Sequence, residues 1–263
     1  MSTISLTEWV AITARSQMPL YAVLSNVSDA QAIKNYYLHD GSQTPYGLYS
    51  QTPYENWFSV MPMLVKLDEN SPFLKWIAET EHKDWGWLAR SHLPFESICC
   101  HLRSLTQVIM PVNEETVFFR YWDGSYLSIM LDYFVDSWQE ILPAFAFYWI
   151  NNQHYVVDIP VEQQAQQTPW WRIPQELINT IMKDNPTTII TNLLLWLKET
   201  YPSYYETLPE ILIKQRILAL WQSQSAKYNV IDNLIINNLK TKLVEELELV
   251  TNPFEELESE FFS

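Results

Sequence analysis

Two cysteines and five histidines are the scarcest reactive residues of this 263-residue chain, and three of them are consecutive: Cys99-Cys100-His101. With His92 and Glu96 nearby, they gather thiol, imidazole and carboxylate groups of the kind that hold zinc. Side chains at consecutive helix positions diverge, so at most one or two of them reach a single ion. A cysteine packed as a small apolar residue beside a surface histidine meets the same pattern more simply. Asp68, Glu69, Asp84 and Asp123 could pair for acid–base work. Each falls at a strand or helix end, where acidic residues close turns and cap helices. An enzyme would need His92, His101, Asp68 and Asp123 to converge in one pocket.

The motifs of familiar chemistry are missing. Four glycines in the chain leave no glycine-rich loop to cradle a phosphate and no dinucleotide fingerprint. There is no Gly-x-Ser-x-Gly elbow, no His-Glu-x-x-His and no pair of Cys-x-x-Cys. The chain is expected to be non-catalytic, without metal or cofactor.

The elements that must position these residues alternate through the first half. A helix is expected over Leu6 to Arg15 with Thr7 as cap, a strand over Leu20 to Leu24, and a helix over Ala30 to Leu38. A strand from Met63 to Leu67 leads to Ser71 as a cap and Pro72 at the first position of a helix whose buried face carries Phe73, Trp76 and Ile77. Trp85 to Ala89 reads as a strand, with Trp85 and Trp87 divided between the two sides of the sheet, and Phe95 to Leu105 as a helix buried on Phe95, Ile98, Leu102 and Leu105. Gln107 to Val112 and Thr116 to Tyr121 form a hairpin, Asp123-Gly124-Ser125 opens a helix towards Val135, and Phe145 to Ile150 and His154 to Ile159 form a second hairpin. The pattern predicts an α/β lobe, a mixed sheet flanked by helices, over residues 1–160.

From 161 to 263 the chain predicts an all-helical lobe. A polar linker runs through Val161 to Pro174. Helices follow over Gln175 to Lys183, Thr187 to Thr200, Leu208 to Gln224 (apolar at Ile211, Leu212, Leu218 and Trp221) and Asn229 to Val250. Trp170 and Trp171 are either an exposed anchor for a partner or a plug between the lobes. After Lys242 no basic residue remains. From about residue 250 the acidic, phenylalanine-bearing tail is either a solvated, frayed end or a docking segment.

Net charge is −15, with no basic stripe, so neither nucleic acid nor an anionic membrane surface is an expected partner. No run approaches the ~20 apolar residues of a spanning helix, and the amino terminus does not read as a signal peptide. Cytoplasm is the expected compartment. Twelve tryptophans and 15 tyrosines suit a core, and equally the anchors of a protein interface.

One succession of signals is more specific. Pro62-Met63-Leu64-Val65-Lys66-Leu67 leads into Ser71-Pro72-Phe73-Leu74-Lys75-Trp76-Ile77. Trp85-Gly86-Trp87 and Ser91 follow, then His101-Leu102-Arg103-Ser104-Leu105, Val108-Ile109-Met110-Pro111 and Val117-Phe118-Phe119-Arg120-Tyr121-Trp122-Asp123. Over residues 20 to 150 this order resembles the N-terminal domain of the type VI secretion effector chaperones, or adaptors, long catalogued only as a domain of unknown function. The chain departs from that pattern at Ser25-Asn26, where the family commonly has an acidic residue, and at Gly124, where it often has proline. The resemblance implies a cytoplasmic, non-enzymatic adaptor that binds one effector, often by its N-terminal region, and loads it onto a VgrG-type spike protein. Arg120 and Asp123 are then either partner contacts or an internal ion pair and helix cap; the second is the simpler reading. Two rival readings are an immunity protein that neutralises a toxin, and an enzyme with an unfamiliar site.

Overall fold

A computed structural model describes residues 2–111, 114–134, 141, 144–156, 166–225, 227 and 233–251. The far ends of both expected hairpins, the first five residues of the linker and the acidic tail lie outside these residues. Among the described residues no helix is long and apolar enough to cross a membrane.

The chain divides into two units, 1–173 and 174–263. In the first, β1 (Ser2–Thr3), α1 (Leu6–Thr13), β2 (Leu20–Leu24), α2 (Ala32–His39), β3 (Tyr46–Gly47), β4 (Met63–Leu67), α3 (Phe73–Glu79) and β5 (Gly86–Arg90) are followed by α4 (Phe95–Ser104), β6 (Gln107–Ile109), β7 (Thr116–Phe118), α5 (Gly124–Phe134), β8 (Phe147–Ile150) and β9 (Gln153–Val156). Seven strands form one sheet in the order β1-β9-β8-β5-β2-β4-β3; β6 and β7 pair separately. The α/β architecture is as expected, but every ladder of the main sheet is antiparallel rather than mixed. The turn from β8 to β9 is a two-residue one, Asn151 and Asn152, both at positive φ, which matches the twist of the paired strands.

The central strands β2 and β5 are buried along their whole length, so both sheet faces are covered. Trp9 of α1, Ala32 and Tyr36 of α2, and Phe73 and Ile77 of α3 pack on one face with Leu20, Ala22, Leu24, Leu88 and Trp85. On the other, Tyr21 meets Phe95 of α4, and Trp87 meets Phe145 and Tyr148. Trp85 and Trp87 lie on opposite sides as expected, but not by strand alternation, which puts residues two apart on one side. They divide because Gly86 takes φ +142°, a conformation closed to side chains, and inverts the alternation. A Cβ there would stand 2.0 Å from the Val23 carbonyl oxygen. Ser5, rather than Thr7, caps α1 by accepting from the Glu8 N–H.

The deepest charge is Arg90, 1% exposed, at the end of β5. Its Nε donates to Thr13 Oγ1 (2.8 Å), and Nη1 donates to the Met18 carbonyl and Glu69 Oε1 (both 2.9 Å). Nη2 donates to the Val10 carbonyl (3.4 Å). A planar fork of donors can satisfy that many oxygens at once; an ammonium cannot.

In the second unit, α6 (Gln175–Asp184), α7 (Thr187–Thr200), α8 (Pro202–Thr207), α9 (Glu210–Ser225) and α10 (Asn233–Thr251) confirm the all-helical lobe. Its core joins Ile189, Leu193 and Leu197, Ile213, Ile217 and Trp221, and Ile235, Leu239, Leu243 and Leu247. Here one expectation fails: Ile211 and Leu212 are exposed. The helix expected from Leu208 is present as α9, beginning two residues later at Glu210. Pro202 opens a separate α8, Pro209 precedes α9, and the face of α9 is set by Ile213, Ile217, Leu220 and Trp221. The boundary at 173 lies beyond the expected 160 because Trp171 and Ile173 pair with β6: Ile109 N–H donates to Trp171 O, and Ile173 N–H to Ile109 O.

Two substitutions test these supports. Gly86→Ala has no room and no allowed conformation, and is expected to cost more than about 4 kcal/mol. Arg90→Ala orphans buried oxygens and is expected to cost about 3 kcal/mol. Both are measured as shifts of the urea midpoint.

Candidate functional site

The segment between β3 and β4 builds a surface that sequence reasoning missed. Residues 47–60 run through successive tight turns, with Ser50 N–H bonded to Gly47 O, Thr52 to Tyr49, Glu55 to Thr52, Trp57 to Tyr54 and Val60 to Trp57. The Thr52 hydroxyl donates to Tyr49 O and accepts from Tyr54 N–H, and the Asn26 amide donates to Phe58 O. Tyr49 is buried, while Trp57 and Phe58 are exposed. The available signal was four aromatics among prolines, serines and threonines.

This segment meets β7 and the residues after it. Trp57 stacks on Phe118 (5.2 Å between ring centres), and Tyr54 meets Phe118 edge-on (4.8 Å). Between them opens a cleft of about 450 Å³ lined by Val27, Tyr49, Trp57, Val60, Phe118, Arg120 and Trp122. The run from Phe118 to Asp123 divides by parity. Phe118, Arg120 and Trp122 line the cleft, whereas Phe119 and Tyr121 turn inwards. Tyr121 fixes the run to the sheet, since its carbonyl accepts from the Trp87 indole N–H (2.9 Å). Trp122 is 4% exposed, and its indole N–H has no acceptor among the described residues.

Arg120 and Asp123 form the ion pair and cap that the sequence offered as the simpler reading. Arg120 Nη2 donates to Asp123 Oδ2 (2.8 Å), and the other carboxylate oxygen accepts from Ser125 N–H at the start of α5. Gly124 is required beside it, because a Cβ there would lie 2.6 Å from Gly86 O and 2.8 Å from Lys83 O. Arg120 remains 43% exposed and is the cation of the cleft.

The two tryptophans part company. Trp171 is buried within the first unit against Phe119 and Phe134 (5.2 and 6.1 Å). Trp170 is half-buried, its N–H donating to Ser104 Oγ (3.1 Å). Near it lies a second hollow of about 440 Å³, lined by Gln51, Thr52, Cys100, Arg103 and Thr106 among others.

The remaining reactive groups have structural surroundings. Cys99 is buried and Cys100 exposed, and burial pushes the Cys99 thiol up to about 11. His101 is not the surface residue expected: burial drives its imidazole down to about 4. Asp68 closes a turn on the Asn70 N–H, Glu69 pairs with Arg90, and Asp84 accepts from the Ser28 hydroxyl. Among the described residues no three of His, Cys, Asp and Glu are grouped to hold a metal ion.

Burial pushes the Asp123 carboxyl up from 3.8 to about 6, against the pull of Arg120. Between these values the folded chain keeps a proton that the unfolded chain has released, so Asp123's stabilising contribution is full below the lower value and lost as pH rises through the upper. His101 works oppositely: its contribution is present above 6.5 and lost as pH falls through about 4. Asp123→Asn retains an acceptor for Ser125 and removes the first slope. Its urea midpoint is expected to fall steadily from pH 6.5 to 4, while that of the natural chain changes less because the two contributions oppose.

Neither the curated proteins nor the solved structures contain a match to this chain. Residues 20–139, a little under half of it and including every residue that lines the aromatic cleft, match the family described as "Domain of unknown function (DUF4123)".

Proposed function

We propose that this chain is an adaptor that binds a toxic type VI secretion effector in the cytoplasm, by the effector's N-terminal region, and delivers it to a VgrG-type spike protein. The reading rests on the ordered motifs that resemble the effector chaperones, which lie in the stretch similar to the domain of unknown function. The observation that carries it is the cleft, because alternate residues of the most specific motif, Phe118, Arg120 and Trp122, line it. Aromatic side chains and arginine in a water-excluding recess are the usual anchors of protein interfaces. A net charge of −15 favours a protein partner over a polyanion. The acidic surface also keeps a chain with exposed aromatics from self-association.

The full chain is expected to co-purify with the product of an adjacent toxin gene, and its deletion to stop export of that toxin. Absence of both would end the proposal. Protection of cells from the toxin, with export unchanged, would mark an immunity protein instead.

A further inference from the structure

The β6–β7 hairpin is saturated on one side only. Phe119 N–H donates to Thr106 O (3.0 Å), Met110 N–H donates to Glu115 O (2.9 Å), and Val108 pairs with Val117. Residues 115, 117 and 119 therefore spend their backbone groups on β6, and the outer edge of β6 is taken by Trp171 and Ile173. Thr116 and Phe118 point their N–H and C=O groups the other way, and among the described residues these meet no hydrogen-bond partner. Both residues are exposed. A bare strand edge is a template for another strand.

The cleft adjoins that edge, since Phe118 belongs to both. In a sheet, a residue added opposite Phe118 projects to the same face, towards Trp57, Val60 and Trp122. Its neighbour two positions along lies opposite Arg120, the one cation of the lining. The buried indole N–H of Trp122 lacks the acceptor that a carbonyl in the cleft would supply.

We infer that β7 and the aromatic cleft form a strand-addition site: an extended segment of a partner protein pairs with Thr116–Phe118, seats a large apolar side chain against Trp57 and Trp122, and sets an acidic side chain against Arg120. In the adaptor reading, on which the partner's identity rests, this segment belongs to the effector. Main-chain pairing supplies affinity, and the alternate side chains supply selectivity.

The test uses the full chain and a fluorescent peptide of about eight residues in which threonine alternates with glutamate, leucine and valine. Saturable binding by anisotropy is expected. N-methylation of alternate amides on the pairing edge should weaken it about tenfold or more, whereas methylation of the other set should not. Trp57→Ala, at an exposed position that the fold tolerates, and Thr116→Pro should each weaken binding about tenfold. Leu38→Ala, at an exposed position of α2, should leave it unchanged. No binding by the natural chain, equal affinity for both methylated peptides, or indifference to Trp57→Ala would each overturn the inference. The adaptor reading fails separately: co-purification that survives Trp57→Ala and Thr116→Pro would keep the adaptor and remove this site.

Discussion

The cleft depends on backbone packed directly against backbone. Gly86 lies so close to the Val23 carbonyl, and Gly124 so close to the carbonyls of Gly86 and Lys83, that neither position can hold a Cβ. The first approach inverts the pleat of β5 and divides two tryptophans between the sheet faces. The second fixes where α5 begins, and with it the Asp123 cap and the Arg120 ion pair. With the Asp123 end fixed there and the other end held by Phe119 N–H on Thr106 O, the run keeps the alternation that puts Phe118, Arg120 and Trp122 on the cleft. A chain with only four glycines has placed two of them at this junction.

Much of this was legible in order and little of it in space. Hydrophobic period located nearly every element of the first unit, because strands such as Leu20–Leu24 and helices such as Phe95–Ser104 obey local rules. The Arg120–Asp123 pair could be read because its partners are three residues apart and a helix starts there. Trp57 could not be assigned, since its role comes from Phe118, 61 residues away, and from turns that carry no period. The sequence leaves Trp171 open between an exposed anchor and a plug; it is drawn into the core by parallel pairing with β6, which local sequence does not encode. Ile211 and Leu212 misled for another reason. Their spacing is helical, but the helix face is chosen by Trp221 and its neighbours.

The buried polar groups of the first unit fall into two kinds. Arg90 is surrounded by oxygens that match its donors, so it acts as a rivet between α1, the segment after it and the sheet. The Trp122 indole N–H and His101 Nε2 have no partners among the described residues. A satisfied group favours one arrangement, and an unsatisfied one favours any change that brings an acceptor. Arg90 lies on the face covered by α1, and Trp122 lies on the cleft.

The pairing of β1 with β9 sets a timetable for the chain. Ser2 and Thr3 are opposite His154 and Gln153, so these residues find their strand partner only after some 150 more have been synthesised. The end of α1 likewise waits for Arg90. Until then the amino terminus has no sheet to join, and closure of such a long loop comes late in folding. A segment made before the rest of its sheet is thus among the last to be locked.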